Sequence, residues 1–110
     1  MPVVSSTRTV VTLRSPDMPK YFAEKVCGHW LYFTTHCLLE AMHVHASRDS
    51  RLREMGAAKF FVMADGTSKM MAQGTLKDHE VPEIQAFIKQ HHAEMFAKWS
   101  ERSAMGYFGS

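Results

Sequence analysis

The sequence predicts an α+β fold in which one long C-terminal helix packs on a small antiparallel sheet. Three observations support this prediction. Short segments rich in β-branched and aromatic residues fill the middle of the chain, an Asp-Gly pair separates two of them, and an apolar stripe with helical spacing follows. The 110 residues correspond to one domain of ordinary size. We therefore expect a single domain, 1–110.

Two segments predict the first hairpin of the sheet. Trp30 to Thr35 is aromatic and favours a strand, and Glu40 to Ala46 is its expected antiparallel partner. Successive side chains of a strand point to opposite faces of the sheet. We therefore expect His43 and His45 to share one face of the second strand, while its apolar residues line the other face.

A second hairpin follows in the pattern. Ala57 to Ala64 alternates and predicts another strand, and Asp65-Gly66 predicts a tight turn because glycine adopts positive φ at little cost. Lys69 to Ala72 is the expected return strand. A Val- and Thr-rich segment from Val3 to Leu13 predicts one further strand near the N-terminus.

The C-terminal helix has the clearest signals. Asp78 is the expected N-cap, and Glu80 lies in the first turn, where the helix dipole favours an acid. The apolar stripe consists of Val81, Ile84, Ile88, Met95 and Trp99. Lys20 to Val26 predicts a short N-terminal helix that Gly28 ends, and residues 102–110 are expected to form a frayed tail.

Composition is that of an ordinary globular protein. The formal net charge is +2, which predicts no strong non-specific attraction to nucleic acid. No apolar run reaches the roughly 18 residues of a membrane span, and the N-terminus lacks the pattern of a signal peptide. We therefore expect a cytoplasmic protein without membrane contact. In that reducing compartment Cys27 and Cys37 are expected to be free thiols.

The pair His43 and His45 carries the candidate metal chemistry. Residues two positions apart on a strand lie about 7 Å apart at their Cα atoms. Two imidazoles at this spacing can bind one zinc ion, with His36, Asp49 or His79 as a third ligand. The simpler alternative is that both histidines are structural and hydrogen-bond to loop carbonyls.

The same pair also suits general acid–base cleavage of RNA, because an unperturbed imidazole titrates near neutral pH. Nearby basic residues are expected to bind phosphate or an acidic protein surface; they are Arg48, Arg51, Arg53 and Lys59. A solvated loop is the simpler explanation of the arginines. His36 and Cys37 do not predict a nucleophile with its base, because adjacent residues on a strand face opposite sides.

The order of several short motifs resembles a known family. A helix that ends near Trp99 follows four motifs, Tyr32-Phe33, Met42-His43-Val44-His45, Ala58-Lys59-Phe60-Phe61 and Asp65-Gly66. This order is similar to that of the small bacterial family called Domain of Unknown Function 4160, over about residues 30–101. Met42 stands where the family usually has proline, and the loop from Ser47 to Gly56 is longer than the family's usual turn.

The resemblance implies a small protein whose partner is another small protein encoded nearby, in a toxin–antitoxin-like arrangement. It implies no catalytic mechanism. We therefore expect a non-enzymatic protein-interaction module, one half of a toxin–antitoxin-like or mobile-element pair. A homodimer is a further candidate assembly, and no cofactor is expected. The Met-rich and aromatic composition suits an adaptable binding surface. The alternatives are a small RNA-cleaving enzyme that uses His43 and His45, and a histidine-based zinc-binding domain.

Overall fold

The fold is described by a computed structural model for residues 20–49 and 54–109, apart from the side chains of 35 and 36. Its elements are β1 (Trp30–Tyr32), a 3₁₀ helix (Thr35–Leu39), β2 (His43–Ser47), β3 (Ala58–Val62), β4 (Ser68–Ala72) and α1 (Glu80–Ser100). Within these residues the strands form one antiparallel sheet in the order β1-β2-β3-β4. The predicted α+β class is confirmed. The predicted strand at Val3 to Leu13 lies outside the described residues.

One face of the sheet and one side of α1 form the core. The register places Val44 opposite Phe60 and Ala46 opposite Ala58, and all four side chains are fully buried. The helix contributes four fully buried residues, Ile84, Ile88, Met95 and Trp99. Each large apolar side chain buried in this way contributes about 1.5–3 kcal/mol. The predicted strand alternation and the predicted helical stripe are therefore confirmed.

The start of α1 differs by one residue from the prediction. The helix begins at Glu80, whose carboxylate accepts a hydrogen bond of 2.8 Å from the backbone N–H of Lys77. Asp78, the predicted N-cap, instead accepts a hydrogen bond of 2.9 Å from Gln73 Nε2, so its carboxylate serves the preceding loop. No helix in the described part of the chain is both long and apolar enough to cross a membrane.

The predicted short helix at Lys20 to Val26 is wrong. Val26 and His29 exchange backbone hydrogen bonds of 2.7 and 2.9 Å across a two-residue turn. Both turn residues have positive φ, 52° at Cys27 and 77° at Gly28. Two consecutive positive φ values are typical of a type I′ turn, which reverses the chain direction. The segment therefore runs back beside β1, and its apolar side chains reach the core without forming a helix.

The segment that follows α1 is packed, so the prediction of a frayed tail is wrong for residues 102–109. The indole Nε1 of Trp99 donates a hydrogen bond of 2.9 Å to the carbonyl of Met105. The backbone N–H of Phe108 donates one of 2.9 Å to the carbonyl of Val62, at the end of β3. The bond from Trp99 satisfies a buried indole N–H, and together the two bonds hold the returning chain against the end of the sheet.

Candidate functional site

Both histidines of β2 point to the face of the sheet opposite Val44 and Ala46, and the ring of His43 also lies near Trp99 of α1, with centroids 5.7 Å apart. The register places His43 opposite Phe61, and His45 between Tyr32 and Lys59. The two imidazole centroids are 5.1 Å apart, and the rings are nearly perpendicular at 89°. The exposed fractions of the two residues are only 1% and 3%. The structure thus places the rings together on one face, as the strand period predicts, but it places them inside the protein.

The 3₁₀ helix adds a third side chain of the type that binds metals, Cys37. The ligand-type atoms of Cys37, His43 and His45 all lie within 4.8 Å of one another, and all three residues are buried. The third ligand predicted from the sequence, His36, precedes Cys37, and its side chain lies outside the described residues. The structure therefore joins the two predicted histidines to a sulfur that the pattern of alternating strand residues did not suggest.

Local hydrogen bonds orient the thiol of Cys37. The backbone N–H of Thr34 donates to Cys37 Sγ over 3.2 Å, and the Thr34 hydroxyl lies 3.3 Å from the same sulfur. In return, the N–H of Cys37 donates to the carbonyl of Thr34 over 3.0 Å. This reciprocal pairing resembles a capping box with a thiol in place of the carboxylate. The predicted strand through Thr35 therefore ends early at Tyr32, and the turn aims Cys37 at the histidines.

Backbone carbonyls fix both imidazoles in one orientation. The Nδ1 atom of His43 lies 2.9 Å from the carbonyl oxygen of Ala41, and that of His45 lies 3.2 Å from the carbonyl oxygen of Ala58. A carbonyl only accepts hydrogen bonds, so each Nδ1 carries the proton and each Nε2 keeps its lone pair. The Nε2 atom of His45 is buried and has no hydrogen-bond partner among the described residues. A buried acceptor usually has a hydrogen-bond partner, and a bound ion or a water molecule can fill that role.

Burial keeps all three groups in their neutral forms. It raises the pKa of the Cys37 thiol, against the hydrogen bonds from Thr34, which lower it. It also lowers the pKa of His43 and, together with the charge of neighbouring His43, lowers the pKa of His45 to about 4. Near neutral pH the site therefore holds one thiol and two uncharged imidazoles, and it does not hold a thiolate–imidazolium pair.

Stability is expected to decrease as the pH falls from about 6.5 to about 4. An imidazole in the unfolded chain has a pKa of about 6.5, whereas that of His45 in the folded protein is about 4. Between these values the unfolded chain binds a proton that the folded protein excludes, so acid favours unfolding by about 3 kcal/mol in total. Urea titrations across this range measure the effect. The variant H45Q should lose this part of the pH dependence, and an unchanged profile in H45Q would contradict the assignment.

The predicted basic residues do not gather at the histidines in the described part of the chain. Arg48 donates to the carboxylate of Glu80 over 3.1 Å and to Nε2 of His29 over 3.3 Å. Lys59 lies beside His45 but forms an ion pair of 2.8 Å with Glu40. Arg51 and Arg53, which were also predicted to bind phosphate, lie outside the described residues.

A carboxylate adjoins the sulfur side of the cluster. Glu54 Oε2 accepts a hydrogen bond of 2.6 Å from the hydroxyl of Thr34, which itself contacts Cys37. The sequence signal for this part of the site was the spacing Thr34-x-x-Cys37, just before the His-x-His pair. The second cysteine, Cys27, is exposed, and both cysteines are free thiols, as predicted.

Comparison with known proteins identifies one family. The family described as Domain of unknown function (DUF4160) matches residues 28–100, which include all four strands and α1. The match contains both histidines of the pair and Cys37. No curated protein and no solved structure matches the chain.

Proposed function

Since this chain belongs to the family described as Domain of unknown function (DUF4160), whose description names no activity, we propose a function from the geometry of the site. The protein binds a transition-metal ion, zinc by preference, through Cys37, His43 and His45. One observation carries the proposal. Three buried ligand-type atoms from two elements converge within 4.8 Å. The orphaned Nε2 of His45 supports it, because a buried acceptor without a partner is otherwise unfavourable.

The donor set fits zinc in both chemistry and spacing. Thiolate and imidazole are both ligands that bind zinc in proteins, whereas calcium and magnesium require oxygen ligands. Zinc bonds of about 2.0–2.3 Å in a tetrahedron separate the ligand atoms by about 3.3–3.6 Å. The longest separation between the ligand atoms, at most 4.8 Å, therefore has to shorten by about 1.2–1.5 Å to meet this geometry. With three protein ligands, a tetrahedral ion takes its fourth from water or a bound molecule.

The surroundings of the ligands also match those of metal sites. Histidine ligands usually donate their second ring N–H to a carbonyl or carboxylate, which holds the other nitrogen towards the ion. His43 and His45 both do so, to the carbonyls of Ala41 and Ala58. The N–H of Thr34 stabilises the negative charge that Cys37 acquires when it loses its proton to bind metal.

The test measures metal binding by the full chain and by single variants. Metal-free protein is titrated with zinc in competition with a chelating dye, and cobalt is used to detect thiolate ligation by its absorption band. We expect one ion per chain. C37S and H45Q should lose affinity by more than the roughly 10–100-fold that follows loss of an outer hydrogen-bond partner. C27S removes the other, exposed cysteine and should bind as the natural chain does.

The variant H36Q separates this site from the one that the sequence predicts. Loss of zinc binding in H36Q together with full binding in C37S would overturn the assignment of Cys37. The absence of a cobalt–thiolate band in the natural chain would overturn it as well. Full binding in H36Q with loss in C37S is the expected result.

The geometry gives less support to RNA cleavage by His43 and His45. General acid–base catalysis requires imidazoles that reach the substrate and titrate near the working pH. Both rings are buried, and their pKa values are lowered. This alternative stays a prediction.

A protein-interaction module stays a second candidate, and the edge of the sheet supports it. β4 is the last strand in the sheet order among the described residues, and four of its five residues are exposed, including Met70 and Met71. An exposed edge strand can pair with a strand of another protein. A partner that is encoded nearby is the predicted occupant. Pull-down with the full chain should then recover one dominant small partner, and recovery of none would count against this candidate.

A further inference from the structure

A pocket at the C-terminal end of α1 gathers positive charge. It has a volume of about 250 Å³ and is lined by Lys20, Phe33, Lys98, Glu101 and Arg102. Three cations and one carboxylate give this lining a net charge of +2. None of the three proposed metal ligands lines the pocket, so its charge is independent of the proposed zinc site.

The cations keep hydrogen-bond donors available. Within residues 20–49 and 54–109 the guanidinium of Arg102 makes no hydrogen bond or ion pair, and the side chain is exposed. The ammonium of Lys98 donates to the carbonyl of Tyr21, which leaves two of its three N–H groups. The ammonium of Lys20 lies 3.8 Å from the ring centroid of Trp30, a contact that orients the charge without consuming an acidic partner.

Compensation of the helix dipole explains only part of this arrangement. Cations near the end of a helix are favourable, and Lys98 and Arg102 both lie there. Lys20 comes from a distant segment that is held by an isolated bridge to Tyr32, at the edge of the sheet. The helix dipole therefore does not account for Lys20, whose positive charge adds to those of Lys98 and Arg102 at the pocket.

The charge and the size of the pocket select the class of anion. A phosphate monoester carries about −1.5 to −2 at neutral pH, which matches the lining better than the single charge of a carboxylate. A guanidinium binds phosphate oxygens in pairs, and ammonium groups add point charges. The volume lies just below the roughly 300 Å³ at which small-molecule pockets begin. We propose that the pocket formed by Lys20, Lys98 and Arg102 binds a phosphate group.

The test is calorimetric titration of the full chain with inorganic phosphate, adenosine monophosphate and a short oligouridylate. The protein is treated with chelator and desalted, so that phosphate does not bind through a metal ion. R102Q and K20Q are compared with K77Q, which removes the same charge from an exposed lysine outside the pocket. R102Q is expected to weaken phosphate binding at least about tenfold, because hydrogen bonds between charged groups are strong, while K77Q should change it less than about twofold.

Each possible result of these titrations either supports the phosphate site or overturns it. Tighter binding of adenosine monophosphate than of inorganic phosphate identifies a free phosphorylated molecule as the source of the group, and tighter binding of oligouridylate identifies an RNA backbone. Either result supports the site if R102Q weakens the binding at least about tenfold. Absence of saturable binding up to about 10 mM overturns the proposal. Equal losses in R102Q and K77Q also overturn it, since they indicate non-specific attraction. The zinc titrations of C37S and H45Q test residues outside this pocket. The zinc proposal and the phosphate proposal can therefore fail independently of each other.

Discussion

Zinc added to the metal-free protein is expected to raise its free energy of unfolding by about 4 kcal/mol, at a free concentration a thousandfold above the dissociation constant. The ion would connect Cys37 in the 3₁₀ helix to His43 and His45 in β2. It binds the folded protein preferentially, because the unfolded chain does not hold the three ligands together. Urea unfolding with and without zinc measures the increase.

The increase should depend on the sulfur and on pH. C37S is expected to lose most of it, whereas C27S retains it, because Cys27 is exposed on a turn apart from the cluster. Burial raises the pKa of Cys37, so each bound ion displaces a proton near neutral pH and the stabilisation grows as the pH rises. An equal increase in C37S and C27S would show that zinc stabilises the protein from another place.

Replacement of Gly74 by alanine is expected to destabilise the protein by about 4 kcal/mol, a loss found only where strain or a clash is severe. Gly74 has a φ of +56°, and a Cβ atom there would lie 2.3 Å from the nitrogen of Ala58 and 2.5 Å from the carbonyl carbon of Ala57. Both are backbone atoms of the β3 region, so neither can rotate away. The change should also weaken zinc binding, because the carbonyl of Ala58 orients His45.

G28A is the matched control for G74A. Gly28 also has positive φ, +77°, but a Cβ atom there would meet no atom within 4 Å. The decrease in the free energy of unfolding of G28A should therefore be limited to the intrinsic cost of a left-handed conformation, about 1–2 kcal/mol. Urea unfolding of both variants measures the difference. Similar losses in the two variants would show that the close approach to Ala58 is relieved by backbone movement.

The elements that could be predicted are those that local periodicity determines. Ala58, Phe60 and Val62 are buried because alternate strand residues share a face, and the α1 stripe is buried because it follows a helical period. The error at Lys20 to Val26 has a physical cause. The positive φ of Cys27 allows a two-residue turn, and a non-glycine residue rarely adopts that conformation.

The candidate site was predictable only in part, for a related reason. His43 and His45 share a face by strand geometry alone. The position of the proposed third ligand, Cys37, depends on the turn after β1, which hydrogen bonds between Thr34 and Cys37 hold in place. The neutrality of the histidines could not be predicted either, because it follows from burial by residues distant in sequence. The same limit applies to the proposed phosphate site, whose pocket combines Lys20 with the end of α1.

The three proposed ligands lie close together along the chain, and this closeness has a kinetic consequence. Cys37, His43 and His45 span nine consecutive positions, so bringing them together closes only short loops. Contacts of such low sequence separation form early, whereas α1 and β3 must reach the site from farther along the chain. An ion that binds the partly formed hairpin would stabilise the transition state for folding as well as the native state. Metal should then accelerate refolding. A ligand that binds only the native state would instead slow unfolding without accelerating refolding.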